Sequence, residues 1–565
     1  MNLFAETLND TQIIKSDHWI YNAIYLLFTK SGKTSPGNSF PITVGELKFL
    51  LRQIDTSELD SQTMNVYTKT YNFLYESSDF GKRFGLSGES TDFLRFGGSI
   101  QLTPEMYLKT NDDITWHTFR DNPYFKSDFA SSQIFVGFDD FFTMETDFYY
   151  GKNPDAARSN ENWFNLALKP SDSDYLLPKF AYGSTGFVKE NWGLSFHIAT
   201  SGLTIGKTQT GSIIYNRTFE TTAYTELNIY SNRFSYALDV SQIDYNRFMY
   251  LHHVEIRPFD NFKFSVIEGG MAASAFEIRY LNPFMLIHSF RPIGEYEMTE
   301  EPGTYGADRK YCAYLGLSSE LVPCKNLRIY ALWAQNEIQI PFDLGTDFGK
   351  LFADGFGIQA GAETFFSGGE NRIWKINIES IYTLPFLYIK QSPQSSLYRA
   401  RKKFTYYYEG VVNSWIGTPF GPDCLAFQTN ISCNSIGSWS ASLSYILAIH
   451  GEMGFDTFTD SRWAFQKDGK TYYAYYPLIK NRAIKAGVIN SSLTTADCIK
   501  EARNHWLTGN LEYRNDIVLN GSYTLNKYCS FDAQFVYTFV FNCGHMQNNF
   551  QQGVELAVSA TFKYF

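Results

Sequence analysis

The sequence predicts a mainly β fold: a large antiparallel transmembrane β-barrel preceded by a small N-terminal helical bundle. Three observations carry this. From about residue 92 onward, apolar and polar residues alternate with period two, the spacing of a strand with two unlike faces. Aromatic residues make up 18% of the 565 residues, with 39 Tyr and 50 Phe. That exceeds ordinary globular usage and suits the aromatic girdles of a barrel at the membrane interfaces. Short polar turns also alternate with long connections along the chain, as in barrels with short turns at one end and long loops at the other.

No stretch approaches the roughly 20 apolar residues of a spanning helix; IYNAIYLLF at 20–28 is the nearest. A membrane crossing therefore rests on strands. The formal net charge of -10 argues against a nucleic-acid partner, which calls for a basic footprint. The seven Cys show no CxxC and no zinc spacing, and read as small hydrophobic residues. The opening MNLFAETLND has no basic region and no full apolar core of an export signal. The barrel reading expects such a signal to have been removed.

The elements follow in order. Residues 1–85 read as a periplasmic helical bundle and 86–565 as the barrel with long extracellular loops. Ser16 or Asp17 is expected to cap a first helix with Ile20, Ile24, Leu27 and Phe28 as its apolar stripe, and Gly32 just past its end. Thr43 and Glu46 form a capping-box pattern, TVGE, for a second helix reaching about Ile54. A third is expected from about Leu59 to Tyr75, with Met64, Tyr67, Tyr71 and Leu74 on one face. The Trp19…Gly32…Pro41-Ile42-Thr43…Glu46 layout resembles a single S-layer-homology-type unit, which implies contact with peptidoglycan.

Strand pairs then follow. AYTELNIYSNRFSYALDV (223–240) turns at Ser231-Asn232, HHVEIRPFDNFKFSVIEG (252–269) near Phe259-Asp260, and later pairs near Cys324-Lys325 and Asn526-Lys527. RIWKINIESIYTL alternates Trp374, Ile376 and Ile378 with Lys375, Asn377 and Glu379. The last strand alternates Val554, Leu556, Val558, Ala560, Phe562 and Tyr564 with Glu555, Ala557, Ser559, Thr561 and Lys563. Phe565 is expected to close it and to belong to the signal read by the barrel-insertion machinery. Long connections are expected over 269–309, 385–403 and 451–506, the last holding a helix in TTADCIKEARNHW. The total is roughly 16 to 20 strands, many longer than the usual five or six residues. Closure would remove their exposed edges and place outer-membrane lipid against the apolar face.

Enzyme motifs fail on context. Asp79-Phe80-Gly81 and Asp347-Phe348-Gly349 read DFG, but the other kinase segments are missing. GFGIQAG (355–361) lies in a strand pattern and opens no helix, and no GxSxG elbow exists. Asp139 and Asp140 are neighbours on a strand pattern and point to opposite faces. His253, Glu255 and Arg257 share one strand face, with Lys263 on the partner strand. They read as a salt-bridged lumen wall, with a ligand or metal site as the sharper alternative. No cofactor, metal or catalytic set is expected. The best candidate ligand contact is the 451–506 loop, where Trp463, Phe465, Tyr472, Tyr473, Tyr475 and Tyr476 are interleaved with Lys467, Lys470 and Lys480. Aromatic faces stack on sugar rings, and Lys meets acidic sugars or phosphates.

Two segments, YLHHVEIRPFDNFKFSVIEGGMAASAFEIRYLNPF (250–284) and WIGTPFGPDCLAFQTNIS (415–432), resemble the capsule-assembly family called Wzi. The matching positions are Glu255, Arg257, Pro258, Glu268, Asn282, Pro283, Gly417, Pro419, Gly421, Pro422 and Asp423. The resemblance implies an outer-membrane barrel of about 18 strands, blocked by helices and inward loops. It further implies a non-catalytic surface lectin that binds or tethers capsule-like polysaccharide. The other readings are a porin or gated transporter for small solutes, an outer-membrane hydrolase, and a soluble all-β protein. Conductance, a converging nucleophile and base, and absence from the outer membrane, respectively, would favour them.

Overall fold

The structure, a computed structural model, describes residues 8–76, 88–91, 94–111, 114, 128–152, 164–170, 173, 178–216, 222–284, 311–368, 372–405, 408–435 and 438–564. Asp79-Phe80-Gly81, the expected domain boundary at 85/86 and Phe565 lie outside the described residues.

Eighteen antiparallel strands close into one barrel. They are β1 (Leu94–Leu102 and Glu105–Lys109, one strand broken at Pro104), β2 (Ala130–Phe138), β3 (Phe142–Tyr150), β4 (Ala181–Val188), β5 (Trp192–Ser201) and β6 (Thr222–Ser231). Next come β7 (Phe234–Asp244), β8 (Arg247–Phe259), β9 (Phe262–Ala272), β10 (Tyr311–Cys324), β11 (Leu327–Glu337) and β12 (Gly355–Ser367). The last six are β13 (Arg372–Thr383), β14 (Cys424–Ser435), β15 (Trp439–His450), β16 (Glu512–Asn526), β17 (Cys529–Phe541) and β18 (Gln551–Tyr564). The seam is double: β18 pairs with the first part of β1 through Phe562–Tyr564 and with the second through Glu555–Ser559. Between them Pro104 has no N–H to give, and its carbonyl accepts from Ala560 N at 3.1 Å.

The period-two reading sets the two faces. On β13, Trp374 and Ile378 are exposed outward at 38% and 59%, while Asn377 and Glu379 are buried inward. On β18, Val558 and Phe562 face out and Glu555 and Ser559 face in. Ile134, Met144, Phe148, Ile198, Ile329 and Leu443 continue the outward apolar surface. In water each would forgo about 25 cal/mol per Å² of exposed apolar area. A closed barrel wearing such a belt is matched to lipid.

Short turns join β2–β3, β4–β5, β6–β7, β8–β9, β10–β11 and β16–β17 at one end. The long connections 202–221, 273–310, 384–423 and 451–511 lie at the other, where Tyr245-Asn246 is the short exception. The β8–β9 turn sits at Asp260-Asn261, one residue beyond the expected place, because the register shifts between Ile256 and Phe259. The β6–β7, β10–β11 and β16–β17 turns are also displaced by one, to Asn232-Arg233, Lys325-Asn326 and Lys527-Tyr528. Asn246 and Asn326 take positive φ, which asparagine tolerates best among residues with a Cβ.

Three helices cover the short-turn end: α1 (Trp19–Lys30), α2 (Val44–Leu51) and α3 (Ser61–Tyr71, followed by a π turn to Glu76). His18, not Ser16 or Asp17, caps α1; its Nδ1 accepts from Ile20 N at 3.3 Å. The expected stripe of α1 is buried, but so are Tyr21, Ala23, Tyr25 and Leu26, because all of the helix except Trp19 and Asn22 is covered. On α3 the buried face is Thr63, Val66 and Thr70 rather than Met64, Tyr67 and Tyr71, while Leu74 of the expected face is buried in the π turn that follows. Small and β-branched residues admit α1 closely, and Tyr67, Tyr71 and Tyr75 stack along the other face at 6.3 and 4.6 Å.

Candidate functional site

The charged residues of the lumen wall form a ladder. Glu255 (β8), Lys263 (β9), Glu320 (β10), Arg328 (β11) and Glu363 (β12) alternate in sign across five adjacent strands. The contacts are Lys263–Glu255 at 3.5 Å, Lys263–Glu320 at 3.9 Å, Arg328–Glu320 at 2.8 Å and Arg328–Glu363 at 2.9 Å. All five are buried. Charges out of water need partners to be tolerated, and alternation supplies them. The expected salt-bridged wall is present at Glu255 and Lys263, while Arg257 and His253 are buried on the same face and Arg257 donates to the Asp260 carbonyl at 2.9 Å. Among the described residues no three His, Cys, Asp or Glu converge as a metal set.

The ladder holds the segment between α1 and α2. Lys263 Nζ donates to Ser35 O at 2.7 Å and Gly37 O at 2.8 Å, and Gly37 N donates to Glu255 at 2.7 Å. Arg257 Nε donates to Thr34 Oγ1 at 3.2 Å, Asn38 Nδ2 to Ser318 Oγ at 2.8 Å, and Ser39 Oγ to Glu226 at 2.9 Å. The Tyr25 ring lies 4.8 Å from the Arg328 guanidinium. Thr43 caps α2 by accepting from Glu46 N at 3.2 Å. The other half of the expected capping box is spent differently: the Glu46 carboxylate enters the lumen and accepts from Asn228 Nδ2 at 3.1 Å. Burial, reinforced by the charge of Glu226, pushes the Glu46 carboxyl well above its usual range.

Three connections fold inward from the opposite end. Thr204–Ile205 pairs with Ser39–Phe40 as a two-stranded sheet inside the barrel. Further along, Gln209 N and Thr210 N donate to Glu379 at 2.9 and 3.0 Å, and Tyr314 Oη donates to Ile214 O at 2.6 Å. Burial, and then the neighbouring Lys375, pushes Lys207 down to about 8. The 384–423 connection buries Phe386, Leu387 and Tyr388 in the same core. Its end carries the 417–423 motif. Gly421 has φ +74°, and Asp423 accepts from Met453 N at 2.9 Å and Thr508 N at 3.0 Å. A Cβ on Gly417 would stand 2.4 Å from Ile213 O. These motif residues thus fix loops. The 250–284 segment behaves likewise: outward-facing His252 meets Tyr236 Oη at 2.7 Å and Tyr280 O at 2.8 Å, where the chain folds back over the outside of the wall.

The 451–511 connection carries the predicted ligand residues. It contains the hairpin Ala464–Lys467/Lys470–Tyr473, α4 (Pro477–Lys485) and α5 (Thr495–Ala502). Thr494 and Asp497 form a full capping box on α5, within the expected helical stretch. Tyr475, Tyr476 and Lys480 are buried. Tyr475 Oη donates to Lys390 O at 3.0 Å, Tyr476 Oη accepts from Ala353 N at 3.0 Å, and Lys480 pairs with Glu501 at 2.7 Å. Trp463 is half-buried with Lys480 Nζ 3.5 Å from its ring centre. Phe465 stacks on Tyr472 at 5.5 Å. Lys470 is exposed, and Lys467, Tyr472 and Tyr473 are partly exposed around it. The nine residues thus divide between loop core and hairpin surface.

Beside the inward loops a cavity of about 990 Å³ remains. Gln428, Ser444, Arg514, Asp516, Asn520 and Gln534 of β14–β17 form its wall, and Tyr21 and Phe40 border it from the helical end. Trp415 and Phe455 face it as a parallel pair 4.0 Å apart. Sequence reading missed this wall. Its signal was present: on these strands the polar face carries amides and hydroxyls where β8–β13 carry charges.

No family model matches the chain, and no curated protein matches it. Among solved structures, the chain is similar to Wzi of Escherichia coli, described as an outer-membrane protein involved in group 1 capsule assembly and a carbohydrate-binding β-barrel. The match covers 97% of this chain and 98% of that one at 11% identity, with a TM-score of 0.53. OprD of Pseudomonas aeruginosa matches over 83% of this chain and 95% of its own at 8% identity and TM-score 0.32. The channel DcaP of Acinetobacter baumannii matches over 85% and 99% at 9% identity and TM-score 0.31. The fold is that of an outer-membrane β-barrel.

Proposed function

We propose that this barrel binds or tethers surface, capsule-like polysaccharide at the outer face of the outer membrane, without turnover. The observation that carries the reading is the filling of the lumen from both ends. The helical bundle is clamped to the charge ladder, and three long connections pack inward on a core of their own. A lumen so occupied suits holding better than passage. The hairpin at 464–473 offers aromatic and Lys side chains on the outside of that packed tier. Trp463, Lys467, Lys470, Tyr472 and Tyr473 are its contact set, with buried Phe465, Tyr475, Tyr476 and Lys480 as its foundation. Contact of the helical bundle with peptidoglycan belongs to the same reading, and Trp19 and Tyr71 remain exposed there.

The test is binding of the detergent-solubilised protein to surface polysaccharide from its own bacterium. Saturable binding, lost when residues 463–480 are shortened, is expected. The 990 Å³ cavity favours a second reading, a gated transporter for small solutes. Steady single-channel conductance in planar bilayers, without polysaccharide binding, would put it first.

A further inference from the structure

The cavity beside the inward loops has a chemistry unlike that of the surface hairpin. Its volume is at the upper end of the roughly 300–1,000 Å³ of ligand pockets. The wall groups that face it are Gln428, Ser444, Asn520 and Gln534, donors and acceptors without net charge. Gln534 Nε2 donates to Asn520 Oδ1 at 2.5 Å, Asn520 Nδ2 donates to Ser442 Oγ at 3.4 Å, and Ser444 Oγ accepts from Asn430 Nδ2 at 2.7 Å, so the wall is a pre-ordered polar network whose amides and hydroxyls keep further donor and acceptor capacity. The Thr208 hydroxyl, also in the lining, is buried with no hydrogen-bond partner among the described residues.

Charge decides which ligands are admitted. Arg514 is neutralised by Asp516 at 3.0 Å. Glu452 is likewise paired with Arg462 at 3.1 Å, and of the remaining charged side chains in the lining Asp17, Asp456 and Glu512 are negative and Lys207 positive. An anionic chain would meet the carboxylates of the lining, while a neutral polyol would meet amides, hydroxyls and the half-buried Phe455 ring, backed by buried Trp415. Sugar rings are recognised by that combination: polar groups for the equatorial hydroxyls and an aromatic face for the C–H face.

We propose that the cavity walled by Gln428, Ser444, Asn520 and Gln534 is a binding chamber for a neutral, hydroxyl-rich oligosaccharide segment, entered from the long-loop end by Glu452 and His545. It rests on the polysaccharide reading for the class of ligand, and it moves the selective contact from the hairpin into the lumen.

The experiment uses the full-length protein in detergent, with maltohexaose as neutral probe and a galacturonic-acid hexamer as acidic one, read by calorimetry. Maltohexaose is expected to bind saturably, and the acidic probe at least about tenfold more weakly. Ser444→Trp, which fills the chamber, is expected to abolish binding. Asn520→Leu with Gln534→Leu, which keeps the volume and removes the hydrogen bonds, is expected to weaken it about tenfold or more and keeps the test valid should the Trp variant fail to fold. Lys527→Ala, in the exposed β16–β17 turn at the short-turn end, is expected to stay within about twofold of the parent. No maltohexaose binding, preference for the acidic probe, or unchanged binding in the folded chamber variants would each overturn the proposal. Retention of whole-polysaccharide binding in that case leaves the surface reading standing. Maltohexaose binding without whole-polysaccharide binding leaves the chamber standing and removes the surface reading.

Discussion

The two halves of the lumen solve one problem differently. From β8 to β12 the inward face is charged, and every charge in the ladder has a partner across a strand or in the helical plug. From β14 to β17 the face is mostly amide and hydroxyl, and a cavity stands against it. Buried ions cannot be left without partners, so the charged half must be covered. Neutral polar groups face water at little cost, so the other half need not be. Where the barrel is filled thus follows from which polar residues each strand carries.

Four substitutions test this contrast. Arg328→Ala removes the ion-pair partner of buried Glu363 and leaves buried Glu320 only its longer contact to Lys263 at 3.9 Å, and is expected to cost about 3–5 kcal/mol. It reads as loss of the heat-modifiable folded form, whereas Gln428→Ala in the opposite wall stays within about 1 kcal/mol. Equal costs would break the comparison. Lys263→Met withdraws the donor from Ser35 O and Gly37 O and leaves Glu255 without its cation, for about 2–3 kcal/mol. Planar-bilayer recordings are expected to show openings absent from the parent; a silent variant with normal folding would mean that the plug does not depend on the ladder. Asp423→Asn weakens the acceptor shared by Met453 and Thr508, at about 1–2 kcal/mol. Faster proteolysis within 451–511 with an intact barrel is the expected readout.

The smallest effect is a matter of pH. Glu46 has a raised carboxyl pKa in the folded state, from burial first and Glu226 second. The folded state therefore binds the extra proton, so stability is full below about pH 4.3, the unfolded value, and falls as pH rises through the folded one. Glu46→Gln is expected to raise the melting temperature at alkaline pH and to leave it unchanged near pH 4. A gain of equal size at both pH values would assign the effect to packing.

Much of the barrel was legible from alternation alone, because a strand with lipid on one side and polar groups on the other must repeat every second residue. The phases of β13 and β18 follow directly. Turn positions slipped by one residue where β8 and β10 change register near their ends, a shift that a two-residue period cannot register. The buried face of α3 was misread because tyrosines look like core to a pattern search, yet they stack readily on each other at a surface. Composition marked the 463–480 loop for its aromatics. It could not separate hairpin from foundation: Tyr475 and Tyr476 find their partners 85 and 123 residues away, at Lys390 and Ala353. The chamber wall was missed for a related reason. Amides on alternating strands become a surface only once four strands stand side by side.

The pairing of Ser39–Phe40 with Thr204–Ile205 gives the plug a property that contact area alone would not. One strand comes from the short-turn end and the other from a loop of the opposite end. The N-terminal region is therefore sewn to the far side of the membrane, not merely seated in the near one. Withdrawing it requires the stitch to be undone first, so a pull at either face is felt at the other.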